Sequence, residues 1–270
     1  MGPDDDTLAA DGHWAFGTGF SDPLSGLPMP PAGADLAALC LALGDDALIM
    51  SHRLQEWCTR APELEDEVAL ANIALDLLGQ ARLLLARTGR DEDELAFRRG
   101  AGEFRNVRLA EVPNGDFAHL VVRLLVFSTW RLALLTRLRD SDDEALAAIA
   151  AKGVKEVAYH RGYAARWTIR LGDGTAHSHE RTRQALAAVW PLVDQLFAAD
   201  GNPRSPDPAD LREEFDAVVG HVLAEATLTI PETAAETAAE RASRDEHTGA
   251  LAVLLEEMQS VARALPGATW

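Results

Sequence analysis

The sequence predicts an all-α fold: a four-helix bundle core with additional C-terminal helices. Three observations carry this. Apolar residues recur at intervals of three and four along several long segments. No segment alternates with period two. The breaks between segments fall on Pro, Gly and Asp clusters.

The first segment, residues 1–34, holds six glycines and five prolines and no period, so it is expected to be a flexible tail. Order is expected over residues 35–270. Helix one runs from Asp35 to about Arg60 with Leu36, Leu39, Leu43, Ala47, Met50, Leu54 and Trp57 on one face. Ala61-Pro62 ends it, because proline biases the preceding residue away from helix. Pro62 then suits the first turn of helix two, with Glu63, Glu65 and Glu67 near the positive end of its dipole. Helix two carries Leu64, Val68, Ala71, Leu75, Leu78 and Leu85 on one face, with Ile73, Leu77 and Leu84 elsewhere. That breadth places it at the centre of a bundle.

Residues 86–115 read as a polar, irregular crossover closed by Pro113-Asn114-Gly115. Helix three follows from Asp116 to Arg139, then helix four from Asp143 to Leu171, with Ser141 as its expected cap. Three shorter helices follow: Ser178 to Ala199, kinked at Pro191; Ala209 to Ala226; and Arg244 to Ala264. Two long hairpins joined by a long connection are the ferritin-like arrangement.

Composition limits the function classes. Against 25 Lys+Arg stand 43 Asp+Glu, a net charge of −18, which disfavours nucleic acid and anionic membrane surfaces as partners. No apolar stretch is read as a membrane span, and the acidic N-terminus is unlike a signal peptide, so a cytoplasmic location is expected. If Cys40 and Cys58 share helix one, 18 residues separate them by roughly 27 Å, too far for a disulfide. Both are expected to be buried thiols.

A ferritin-like di-iron site takes one Glu from each of two helices and a Glu-x-x-His from each of the others. Antiparallel register brings Asp46 of helix one level with Asp76 of helix two, with Gln80 one turn away. Glu156 and His160 of helix four lie at the same level, opposite Phe127 and Arg123 of helix three. The layer Asp46, Asp76, Gln80, Glu156 and His160 departs from the ligand pattern at three places. Helix three has no acid between Asp116 and Asp140. Gly79-Gln80 stands where helix two needs a ligand. Glu156 and His160 are four apart instead of three. Two readings stay open. The layer is a cluster of ion pairs and hydrogen bonds, with Arg123 or Arg131 in the place of a cation, or it holds one hard divalent ion.

Residues 44–57 (GDDALIMSHRLQEW) and 61–82 (APELEDEVALANIALDLLGQAR) resemble the structural-subunit family of bacterial phenylacetyl-CoA epoxidases. So do 112–117 (VPNGDF), 155–160 (KEVAYH), 225–228 (EATL) and 265–270 (LPGATW). The resemblance implies a multi-subunit enzyme that forms a ring 1,2-epoxide from phenylacetyl-CoA, in aerobic phenylacetate degradation. In it a sister ferritin-like subunit carries di-iron and substrate, and a reductase subunit supplies electrons. It further implies that this chain binds no cofactor or metal, contributes no catalytic residue, and pairs with the sister while retaining Asp46, Asp76, Gln80, Glu156 and His160 as a polar relic. Some of the six tryptophans are then expected to line the contact. The alternative is an independent ferritin-like oxidase with one or two metals.

Overall fold

The computed structural model describes Leu24, residues 26–231 and residues 243–268. Its core is two antiparallel hairpins, α1 (Ala34–Gln55) on α2 (Leu64–Ala86) and α5 (Phe117–Leu138) on α6 (Glu144–Gly172). Two short helices, α3 (Glu92–Phe97) and α4 (Arg108–Glu111), lie in the connection. α7 (Ala176–Val189) and α8 (Pro208–Glu225) pack on α5 and α6, while α9 (Gly249–Ala264) packs on α3 and α4. Among the described residues there is no strand, and the arrangement is ferritin-like.

Local chemistry sets the helix limits. Asp116, Asp143 and Thr175 each accept a hydrogen bond from the amide three residues on, which satisfies a donor that the first turn leaves free. Asp143, not Ser141, therefore caps α6; Ser141 accepts from the Asp143 amide instead. The helix expected from 178 to 199 ends at Val189, and the chain continues through Pro191 as 3-10 turns, because proline breaks the helical ladder. The helix expected from Arg244 begins at Gly249, since residues 243–248 are engaged elsewhere.

The most central helix is α5, not α2. Both α2 and α5 have a mean hydropathy of 1.5 over an 18-residue window and are long and apolar enough to cross a bilayer, which corrects the reading that no stretch was. For α5 the window is 94% buried inside this protein, but for α2 only 44%. The apolarity of α5 is thus accounted for by the bundle itself.

The crossover is the second departure. It reads as polar, yet Phe104, Val107, Leu109 and Ala110 are fully buried. A buried irregular segment must find partners for its backbone groups, and α1 supplies them. Asp45 takes both Arg99 (Nη1 at 3.0 Å) and the Arg105 amide (2.9 Å). Asp46 accepts from the Val107 amide (2.8 Å). Arg53 donates to the Glu111 carbonyl (2.6 Å), and the Arg53 carbonyl accepts from the Asn114 amide group (2.6 Å). From α5, Arg123 closes the end of the segment on the Val112 carbonyl and Asn114 Oδ1.

The stretch before α1 is also tied down. The Ala32 amide donates to the Arg87 carbonyl (2.8 Å), and Arg87 bonds the Pro30 carbonyl and Asp143 (2.6 Å). Residues 30–32 are thus fixed on the end of α2, inside the span read as a flexible tail; residues 1–23 and 25 lie outside the described residues. Cys40 is buried, and burial pushes its thiol up to about 12. Cys58 lies past the end of α1 in a turn and is half-buried. Both cysteines are free thiols.

A latch holds the start of α9. Glu111 Oε2 meets His247 Nδ1 (2.8 Å) and the Asn106 amide group (3.0 Å), while Arg244 forks onto both oxygens of Asp46 (3.0 Å each). Burial alone would lower the His247 pKa, but the bonds to Glu111 and the Phe104 carbonyl outweigh it and raise it above 6.5. Burial pushes Glu111 up, yet the donors from His247, Thr248 and Asn106 bring it below 4.5. The His247 contribution is therefore complete below pH 6.5 and lost as pH rises through the folded-state value. The Glu111 contribution is complete above pH 4.5 and lost on acidification. Amide exchange across α9 is expected to be slowest between those limits and to quicken toward alkaline pH once corrected for intrinsic rates. His247→Gln should flatten the alkaline arm; an unchanged profile in that variant would contradict the latch.

Candidate functional site

The inner layer of the bundle is set by four helices. α2 and α6 run antiparallel, so rising numbers on one meet falling numbers on the other. Asp66 accepts from Tyr163 (2.9 Å) and Trp167 (2.8 Å). Asp76 pairs with His160 Nε2 (3.0 Å). Gln80 Nε2 donates to Glu156 Oε2 (2.9 Å), whose other oxygen takes Lys152 Nζ at 2.6 Å. Gly153 makes room for Leu135 of α5, whose Cδ1 would stand 2.9 Å from a Cβ there, and a Cβ would touch the Gln80 amide carbon at an ordinary 3.5 Å.

From α5 comes Arg131, fully buried, whose Nε donates to Gln80 Oε1 (3.0 Å) and whose Nη1 reaches the Leu43 carbonyl of α1 (3.3 Å). Its guanidinium lies 5.8 Å from the Phe127 ring centroid. Desolvation pulls its pKa down to about 10, with Asp46 and Glu156 opposing that and Arg244 adding to it. It is thus a cation at neutral pH. One side chain links α5 to α1 and α2, and through Gln80 to α6.

Four of the five residues expected in one layer come together there, as two pairs: Asp76 with His160 and Gln80 with Glu156. The expectation that Asp46 lies beside Asp76 fails at the level of contacts. Asp46 points to the crossover, where it accepts from Val107 and Arg244, and it reaches the layer only as a charge felt by Arg131. The cause is the buried crossover backbone, which needed an acceptor. Of the two arginines considered, Arg131 lies in the layer, and Arg123 is a turn or two away on the Val112 carbonyl. Sequence reasoning missed Lys152, although its i,i+4 spacing to Glu156 on α6 was the available signal. It also missed Asp45, Arg99, Glu111, Arg244 and His247, because their partners are distant in sequence.

The donors do not fit the two-metal ligand pattern. In this layer α5 supplies a guanidinium where a carboxylate belongs, α2 supplies an amide beside Asp76, and Asp76 is paired with His160. Among the described residues no three His, Cys, Asp or Glu side chains are grouped so as to hold an ion. What the arrangement can do is neutralise and cross-link. A planar fork with fixed donors satisfies acceptors on two neighbouring helices at once.

Arg131→Met is expected to lower unfolding free energy by about 3 kcal/mol, the low end for breaking a buried charged network, because Lys152 and Arg244 still reach the two carboxylates. Arg131→Lys should lose less. Urea denaturation measures both; a Met variant as stable as the parent would contradict the role of the guanidinium.

Comparison with known proteins agrees with this fold. The sequence profile of the family described as phenylacetic acid catabolic protein matches residues 29–270. The chain is 43% identical over 248 residues to a subunit of the 1,2-phenylacetyl-CoA epoxidase of Escherichia coli (strain K12), covering 87% of this chain and 99% of that one. An all-helical bundle whose profile match takes in both hairpins, the crossover and α9 is, on these grounds, a member of the phenylacetic acid catabolic protein family.

Proposed function

We propose that this chain is a non-catalytic structural subunit of a multicomponent di-iron oxygenase that epoxidises the aromatic ring of phenylacetyl-CoA. In this reading it pairs with the metal-bearing subunit and stabilises it, and it meets the reductase subunit only indirectly. The observation that carries the reading is Arg131: a permanent, fully buried cation inside the layer where a di-iron protein of this architecture needs a carboxylate. The match to an epoxidase subunit over nearly its full length supports the reaction assigned to the assembly. Asp76, Gln80, Glu156 and His160 then serve stability and spacing of the helices, with no catalytic residue in this chain.

Two measurements test this. The chain purified alone is expected to hold far less than one iron per molecule by elemental analysis; two irons with oxo-bridged spectra would refute the reading. In the assembled complex, Glu156→Gln should leave turnover within a few-fold, since that carboxylate holds Gln80 and Lys152 and touches no reacting atom. A folded, fully assembled variant slower by roughly a thousand-fold would move catalysis into this chain.

A further inference from the structure

Between α1, α5 and the chain that leads into α8 lies a cleft of about 990 Å³. Leu39, Leu41 and Ala42 line it from α1, Leu134 from α5, and Phe197 and Pro206 from the segment before α8. Its volume is at the upper end of the range of small-molecule sites, and most of its lining is apolar, as in such sites. None of the residues expected in the layer of Asp76, Gln80, Glu156 and His160 lines it.

The polar groups around the cleft limit what it can hold. Arg105 pairs with Asp245 (3.0 Å) and Arg244 with Asp46 (3.0 Å), so neither cation is free to hold an anionic group. Asp200 accepts from the Asn202 amide (2.9 Å) and the Ser205 hydroxyl (2.7 Å), and Asp207 from the Ala209 amide (2.9 Å). These two acids and Asp245 are exposed, where water screens a carboxylate and an added cation gains little. Gln195 accepts from the Arg108 amide (2.7 Å) and donates to the Ser243 carbonyl (3.2 Å). One buried polar group remains unmet. Trp130 lines the cleft and is 1% exposed, and its indole N–H has no hydrogen-bond partner among the described residues. A buried donor without an acceptor is costly, and an occupant that brings one relieves that cost. Trp57 and Trp190 are likewise buried and Trp167 is half-buried, which corrects the expectation that tryptophans line a subunit contact; Trp14 and Trp270 lie outside the described residues.

We infer that this cleft is a binding site for a small, uncharged, mainly apolar molecule that carries a hydrogen-bond acceptor, which the Trp130 indole meets. The apolar walls supply the binding surface. A net charge on the occupant is unrewarded, because the cations are already paired and the acids stand in water. The unmet indole donor supplies orientation. The inference does not rest on the functional reading above.

The test uses the full chain and prodan, a neutral naphthyl ketone whose emission shifts to the blue in apolar surroundings. Prodan is expected to saturate at one dye per chain. Ala38→Trp, at an exposed position on the lining, should fill the cleft and abolish that binding at an unchanged melting temperature. Leu75→Asp, exposed on α2 and outside the cleft, should bind the dye as the parent does. Trp130→Phe should weaken prodan about fivefold, yet leave unchanged the competition by dimethylaminonaphthalene, which lacks the ketone. A parent chain that shows no saturable binding, or binding indifferent to Ala38→Trp, would overturn the site. Equal or tighter binding of anilinonaphthalene sulfonate, or of a trimethylammonium analogue of prodan, in the same cleft would overturn the uncharged class. Equal loss of both naphthalenes in Trp130→Phe would overturn the role of the indole. If Ala38→Trp instead blocks assembly with the co-expressed metal-bearing subunit, or splits a dimer of the parent chain, the cleft is a protein contact and the small-molecule assignment fails.

Discussion

A positive charge that cannot be shed, held in the driest part of the bundle, is the constraint on which the rest depends. Arg131 sits on α5, whose apolar window is almost wholly enclosed. An isolated ion there would be prohibitive, so its donors must be met and its charge balanced. Gln80 meets Nε and the Leu43 carbonyl meets Nη1, while the buried Nη2 has no hydrogen-bond partner among the described residues; Asp46 and Glu156 balance the charge from α1 and α6. Each of those groups is then committed in turn, Gln80 to Glu156, Glu156 to Lys152, Asp46 to Arg244 and Val107. The network reaches all four core helices, the crossover and the segment leading into α9. An ion in a ferritin-like protein joins the helices in a similar way, and here a guanidinium fork does so with a fixed stem and no exchange.

The long crossover follows the same logic of satisfaction. Its backbone is buried, and without the side chains of α1 its polar groups would be left unpaired at prohibitive cost. Asp45, Asp46 and Arg53 recur along that helix at the heights where residues 99–114 pass over it. This explains why α1 carries charges on faces that are wholly buried. It also explains why Asp46 is a connector between the layer and the crossover instead of a member of a ligand set.

How much of this was legible in the sequence varies by element. The long helices and their hairpin order were, because periods of three and four in Leu, Ala and Val report burial directly. The acid-free run of α5 and the Gly79-Gln80 pair also mark the ligand pattern as incomplete from sequence alone. What remained hidden depends on contacts between distant residues. Residues 86–115 read as polar and irregular, but Arg99, Asn106 and Asn114 are polar because they terminate buried networks. Likewise α2 looked central because its hydrophobicity is as high as that of α5; periodicity records how much apolar surface a helix has, not whether its own chain or another covers it. The start of α6 was legible to within a residue, but its cap was misassigned because Ser141 and Asp143 both lay in reach of the first turn.

Arg131 and the α6 carboxylate act as parts of one cross-link, and the stability of the bundle turns on that coupling. A double-mutant cycle tests it most directly, with Arg131→Met and Glu156→Gln made singly and together and unfolding free energies taken from urea denaturation. The predicted coupling is about 1–3 kcal/mol, since the two groups act through Gln80 in a buried network. Strict additivity, with each substitution costing the same whether or not the other is present, would contradict it.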